Sequence, residues 1–241
     1  RDRFTYTGTG TYIIGTKELA VIDPGPIDDN HLEAILNVTK DQKITHIIVT
    51  HTHNDHSPLS KSLQEKTGAL IYSYNEKHIN TGEDNKFEEG YDKDFKCDIS
   101  VKDGDIIKGK DWTLEAIHTP GHTSNHLCYS LIEEEILFSG DHVMGWSTTV
   151  IVPPDGDMEE YMQSLEKLLL RNDRHYLPTH GKMIENPHEL VRKYITHRIS
   201  RETQIKKAIE SGNNKIMDIV KIIYADVDSK LYPAASMSTL A

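Results

Sequence analysis

Cysteine, aromatic residues, net positive charge and long apolar runs are all scarce in this chain. Of its 241 residues, two are cysteine, two tryptophan and four phenylalanine. Cys97 and Cys128 lie far apart and neither belongs to a Cys-x-x-Cys pair. Two such residues cannot build a disulfide framework and read as buried or idle thiols of a reducing compartment. No stretch approaches the roughly 18 consecutive apolar residues that a membrane helix needs, so a membrane partner is not expected. No secretory leader is visible, although the chain opens at Arg1 rather than at a methionine, and its native start is expected to lie upstream. The compartment these absences suggest is the cytoplasm, or the mitochondrial matrix in a eukaryote. A net charge of -11 speaks against a surface built throughout for nucleic acid. The charge is uneven, however. Residues 158–241 hold 13 Lys/Arg against 11 Asp/Glu, and residues 1–157 hold 14 against 27.

What is present is an alternation of short apolar strands and helical patterns, on a length that suits one domain with a small appendage. Leu19–Ile22 reads as a buried strand ending at the turn Asp23-Pro24-Gly25. Residues 30–40 place Leu32, Ile35 and Leu36 on one helical face. A strand over 46–50 follows, and Ser57-Pro58 reads as a helix start with Ser57 as N-cap and Pro58 at the first position. Ala69–Ser73, Trp112–His118, His126–Ile132, Ile136–Ser139 and Tyr176-Leu177 are further strands. Residues 75–96 are polar and read as a long surface loop, either a lid or a solvated insertion. Helices are expected over 158–171, 188–211, 214–225 and 234–241, the last running to the final residue as though truncated. Two strand-rich halves with helices between them imply two packed sheets with outer helices, a main unit over 1–187, and a helical lobe over 188–241.

The chemistry is concentrated in Thr50-His51-Thr52-His53-Asn54-Asp55-His56, which follows the apolar run Ile47-Ile48-Val49. Three imidazoles and a carboxylate at the exit of one strand suit a metal, and their density suggests two. Three later strand exits supply side chains of the same type. His122 sits in Thr119-Pro120-Gly121-His122-Thr123, Asp141 in Ser139-Gly140-Asp141-His142, and His180 in Pro178-Thr179-His180-Gly181. A glycine beside each allows close backbone approach.

In this order the motifs resemble those of the metallo-beta-lactamase superfamily, over roughly residues 10–185. The resemblance implies a four-layer αββα sandwich of the metallo-beta-lactamase fold with a C-terminal winged-helix-like lobe. It implies a first metal on His51, His53 and His122, a second on Asp55, His56 and His180, and Asp141 bridging the two. Asp23 matches a position that supports the ligands from behind. The implied cofactors are two zinc ions, with manganese or iron also suited to the second position. Two such ions about 3.5–4 Å apart share a water and lower its pKa, so that a metal-bridging hydroxide attacks a carbonyl or phosphorus. Asp55 is expected to help move the proton.

The substrate is less legible. Aspartate rather than cysteine at position 141 speaks against a dedicated beta-lactamase. Gly121–His126 resembles the glyoxalase II branch, which cleaves glutathione thioesters. The segments Gly140–Trp146, Thr148-Thr149, Pro153–Met158, Tyr161–Leu165 and His197–Glu202 resemble the beta-lactamase-like protein 2 group, and that resemblance extends over nearly the whole chain. It implies an endoribonuclease-like phosphodiesterase on single-stranded RNA, with a small-molecule acyl hydrolase as the alternative. Arg192, Lys193, Arg198, Arg201, Lys206 and Lys207 on the basic helix could meet phosphates, against the plainer reading of a solvated helix face. His142, Trp146, His197 and Arg198 are the candidates for touching substrate. Nothing in the sequence specifies an oligomeric state.

Overall fold

The computed structural model describes residues 8–74, 90–226 and 228–240. The first half contains β1 (Tyr12–Ile14), β2 (Glu18–Ile22), α1 (Asp29–Val38), β3 (Lys43–Ile48), α2 (Leu59–Thr67), β4 (Leu70–Ser73) and β5 (Ile99–Ser100). The second contains β6 (Ile106–Lys108), β7 (Thr113–His118), β8 (Leu127–Leu131), β9 (Ile136–Gly140), α3 (Met158–Leu169), β10 (His175–Pro178), α4 (Pro187–Glu210), α5 (Ile216–Ile223) and α6 (Tyr232–Leu240).

Side-chain alternation along the strands builds the layers. In β2, Leu19 and Val21 pack with Leu32 and Ile35 of α1 and with Leu59 and Leu63 of α2. Ala20 and Ile22 face the other way, against Leu114, Ala116, Leu127, Tyr129 and Phe138 of the second sheet. The outward residues of that sheet, Ile117, Cys128 and Leu137, meet Tyr161, Leu165 and Leu168 of α3 and Val191 and Tyr194 of α4. The order is helix, sheet, sheet, helix. Because both faces of each sheet are covered, the central strands read as continuous apolar runs. Helix α4 does not stand apart, since its first half belongs to the core of the outer layer.

The sheets run β1-β2-β3-β4-β5 and β10-β9-β8-β7-β6. β2 and β3 are parallel, so Asp23 and the motif leave the first sheet at the same edge. β7 and β9 are both antiparallel to β8, and β10 is parallel to β9. Their exits, which carry His122, Asp141 and His180, therefore also share one edge. The Leu127 amide donates to Thr50 O at 2.8 Å and joins the two sheets there.

Several local expectations are corrected. Pro58 occupies the N-cap position of α2 without a side-chain cap, because the Ser57 hydroxyl is already committed to Asp92 Oδ2 at 3.0 Å. β1, β5 and β6 run for only two or three residues, too short for a periodicity signal. Of the loop expected over 75–96, residues 75–89 lie outside the described residues. Its later part is no free excursion: Asn54 N donates to Gly90 O at 2.7 Å and Asp92 N to Thr52 O at 2.9 Å. The last helix begins at Tyr232 rather than Ala234. Among the described residues, no helix is long and apolar enough to cross a membrane.

Candidate metal centre

All seven predicted ligands converge at the shared edge. His51 Nε2 lies 3.0 Å from His53 Nδ1, which lies 3.1 Å from His122 Nε2. His56 Nε2 and His180 Nε2 lie 3.3 and 3.2 Å from Asp55 Oδ2. Asp141 Oδ2 stands between the groups, 3.8 Å from His122 Nε2, 3.6 Å from His56 Nε2 and 3.3 Å from His180 Nε2. All seven residues are buried.

Hydrogen bonds on the far side of four of the five rings, those of His51, His56, His122 and His180, decide which nitrogen faces inward. Thr50 Oγ1 donates to Asp23 Oδ2 at 2.7 Å, so it accepts from His51 Nδ1 at 3.0 Å. His122 Nδ1 donates to Val150 O at 2.7 Å. Both Nε2 atoms therefore present lone pairs. His56 Nδ1 donates to Asp23 Oδ2 at 2.9 Å and His180 Nδ1 to Gly8 O at 3.3 Å, which leaves each Nε2 facing Asp55 and Asp141, free to take a metal or, without one, a proton. His53 Nδ1 can donate to only one of the two facing Nε2 lone pairs of His51 and His122 at a time, whereas a cation between the three nitrogens would engage all of them. Nitrogens at about 2.0–2.1 Å from a tetrahedral zinc sit roughly 3.3 Å apart, near the spacing found here. His53 Nε2, His56 Nε2, Asp55 Oδ1 and Asp141 Oδ1 are buried without hydrogen-bond partners. The donor set fits two divalent cations, one on His51, His53 and His122 and one on Asp55, His56 and His180, with Asp141 reaching both.

The electrostatics differ between the two groups. Burial and neighbouring imidazoles push His51 and His53 well below the ordinary histidine value. Burial also lowers His122, against the pull of Asp141. At the second group burial again opposes charge, but Asp55, Asp141 and Asp23 hold His56 well above its ordinary value. His180 is raised to about 10 against burial by Asp141 and Asp55. Burial alone would raise both carboxyls, yet the imidazoles hold Asp55 and Asp141 low. The second group thus carries a carboxylate excess, which without a metal is met by protons on its histidines.

Residues 6–180 match the family model described as Metallo-beta-lactamase superfamily. The chain belongs to the metallo-beta-lactamase superfamily. It is a hydrolase of that type, and residues 216–241 match the Beta-lactamase associated winged helix domain. A relative in Caenorhabditis elegans, Beta-lactamase-like protein 2 homolog, is 32% identical over 92% of this chain and 73% of its own length. Atrochrysone carboxyl ACP thioesterase of Aspergillus fumigatus is 32% identical over 85% of this chain, which spans only 60% of that protein. A metallo-beta-lactamase family protein from Thermus thermophilus shares the fold, with a TM-score of 0.76 and 18% identity, covering 96% of this chain and 86% of that one.

Within this superfamily fold, Asp23 sits behind the ligands. Its Oδ1 accepts from Thr50 N at 2.8 Å, and its Oδ2 from Thr50 Oγ1 and His56 Nδ1. It takes a positive φ of 47° to do so. Two expected substrate contacts are corrected. His142 is 0% exposed and packs on Tyr161, with ring centroids 4.7 Å apart, so it faces the interior rather than the cleft. Arg198 is only 8% exposed and donates to Thr149 O at 2.5 Å, which withdraws it from solvent. Trp146 is 41% exposed and follows Gly145, whose amide donates to His180 O at 3.1 Å. His197 is exposed on α4 and makes no hydrogen bond to a ligand residue among the described residues.

Several further residues contribute to the centre. Thr9 Oγ1 donates to Asp55 Oδ2 at 2.8 Å. The Tyr91 ring lies 4.6 Å from that of His53. Asp141 N donates to His126 Nε2 at 3.2 Å, and His126 Nδ1 contacts Thr119 Oγ1 at 2.9 Å. Gly140 makes that contact feasible, since a Cβ there would lie 2.5 Å from His126 Nε2. Only the Gly-Asp pair in Ser139-Gly140-Asp141 hinted at this close approach.

Proposed function

We propose that the chain is a dinuclear metallo-hydrolase that cleaves an acyl thioester. The observation that carries the substrate class is the fate of the basic residues on α4. Arg198 is buried, Lys193 and Lys206 pair with Glu189 and Glu202 at 2.6 Å, and Arg201 lies over the Tyr224 ring at 4.2 Å. Of the six basic residues named on α4, only Arg192 and Lys207 carry no such contact among the described residues, and two exposed cations make a thin phosphate track for single-stranded RNA. The thioesterase name of the fungal relative supports the same class. Single-stranded RNA is the second reading, favoured by the winged-helix match over 216–241.

Two bound divalent cations would supply an activated water at neutral pH and a counter-charge for the developing oxyanion. The chain's own residues do the rest. Asp23 and Thr50 orient the rings that would hold the cations, and Thr9 holds Asp55 Oδ2. Asp55 Oδ1, buried and unpartnered, is the atom placed to take the proton. Zinc is proposed for both positions, with manganese or iron also suited to the carboxylate-richer one. The same reading keeps the hydrolase unit of 1–187 continuous with the first half of α4 and leaves the lobe to the remainder of 188–241, in a reducing compartment that suits the two free cysteines.

The test is turnover by chelator-stripped and zinc-restored chain of an acyl-N-acetylcysteamine thioester and of a single-stranded RNA. Zinc-dependent thioester cleavage with RNA left intact is expected. RNA cleavage without thioester cleavage would replace this substrate with the second reading, and failure on both would reject each.

A further inference from the structure

The loop from β9 to α3 serves the metal centre at two points. Asp141 opens it, and the carbonyl of Val150 accepts from His122 Nδ1 at 2.7 Å. One short segment thereby touches the candidate bridging ligand and orients a ligand of the first position.

What holds this segment is helix α4. The Tyr194 hydroxyl lies 2.7 Å from Met144 O and 2.6 Å from Ser147 O. Having a single proton, it is shared between the two carbonyls and ties them together. One turn further along, Arg198 Nη2 donates to Thr149 O. The Thr149 hydroxyl in turn lies 2.7 Å from Asp141 O and 3.0 Å from His142 O. Tyr161 OH donates to His142 O at 3.1 Å, and the Arg198 guanidinium lies 5.6 Å from the Tyr161 ring centre.

The burial of Arg198 calls for a reason. Among the described residues it has no carboxylate partner, and its Nε is buried without any hydrogen-bond partner. A guanidinium withdrawn from water in this way is costly. Neighbouring helix positions show that α4 has solvent to offer, since Arg192 and Lys193 are exposed. The interaction Arg198 does make is with the loop that carries Asp141.

We propose that Tyr194 and Arg198 are positioning residues for the metal centre, acting through the 141–150 loop to place Asp141 and to orient His122. This rests on the metal reading given above. Ligands fixed by outer partners lose affinity when those partners are removed, typically by about 10–100-fold.

The experiment strips the full chain of metal and titrates it with Co2+, following the visible absorption bands, which report coordination geometry. Tyr194→Phe and Arg198→Gln are compared with Arg198→Lys, with Asp141→Asn as the direct-ligand control, and with Lys193→Ala as a control on the exposed face of the same helix. Melting of each metal-free variant is measured in parallel. Tyr194→Phe and Arg198→Gln are expected to weaken Co2+ binding by about 10–100-fold and to alter the bands. Arg198→Lys should restore part of the affinity, and Lys193→Ala should change neither. If Arg198→Gln does not fold, Tyr194→Phe, which removes one oxygen and keeps the ring, carries the test. Wild-type affinity and bands in these variants, with two Co2+ still bound by the parent, would overturn the inference and leave the metal reading standing. A parent chain that binds no Co2+ would overturn both.

Discussion

The two sheets bring their ligands to the centre in different ways. The first delivers four of them from one turn after β3, and a single carboxylate, Asp23, braces that turn from behind. The second delivers three from three separate strand ends, each with its own support: Val150 O for His122, His126 and Thr149 for the Asp141 backbone, and Gly8 O for His180. A contiguous motif can share one buried brace at two of its points, Thr50 and His56, with Thr9 and the 90–92 segment supporting the rest. A dispersed set depends on the packing of everything between its members. Damage to the first should therefore be focused, and damage to the second should spread.

Replacing the ligand that joins the two halves should have the largest effect. Asp141→Ala is expected to lower turnover by on the order of 10³-fold, as when an electrostatic group is removed from a reacting centre, and to reduce metal content as read by atomic emission. Asp23→Ala strikes the local brace. It should weaken metal binding by about 10–100-fold and also lower the stability of the metal-free chain, since the buried Thr50 N is left without its acceptor. Retained affinity after that change would show that the first sheet does not rely on Asp23.

The metal-free chain offers a pH test of the same contrast. His180 has its pKa raised to about 10. A raised pKa gives stability that is full below the unfolded value of 6.5 and is lost as pH rises through about 10. The melting temperature of the stripped chain should therefore fall over that range. Saturating metal, which takes the place of the proton, should remove this part of the decline. An identical decline with and without metal would detach His180 from the site.

The smallest effect is expected at the exposed basic face. Reversing Arg192 and Lys207 to glutamate should leave thioester turnover within about twofold, as is usual for surface changes remote from packed or buried features. A large loss of RNA cleavage in the same variant would instead favour the nucleic-acid reading.

The contrast also explains what could be read in advance. Thr50–His56 was legible because strand exit, spacing and ligand chemistry fall within seven residues. His122, Asp141 and His180 were legible as residue types beside glycine at strand ends, and their grouping followed from family resemblance. Thr9 and Tyr91 were not legible, because each acts across more than ten residues of intervening chain. His142 and Arg198 looked like substrate contacts because proximity in sequence to Asp141 and a basic helix suggested a cleft. The turn after β9 points His142 inward against Tyr161, and α4 turns Arg198 inward.

The sequence by itself determined the layered alternation of apolar residues, the seven ligand types and hence the class of chemistry, since these depend on period and local composition. Only the tertiary structure decided which nitrogen of four of the rings faces the centre, how Asp141 stands between the two groups, and that Arg198 of the basic helix is turned onto the loop behind them. Those outcomes depend on hydrogen bonds between strand ends and helices distant in the chain, and such partners are chosen by packing rather than by neighbours in sequence.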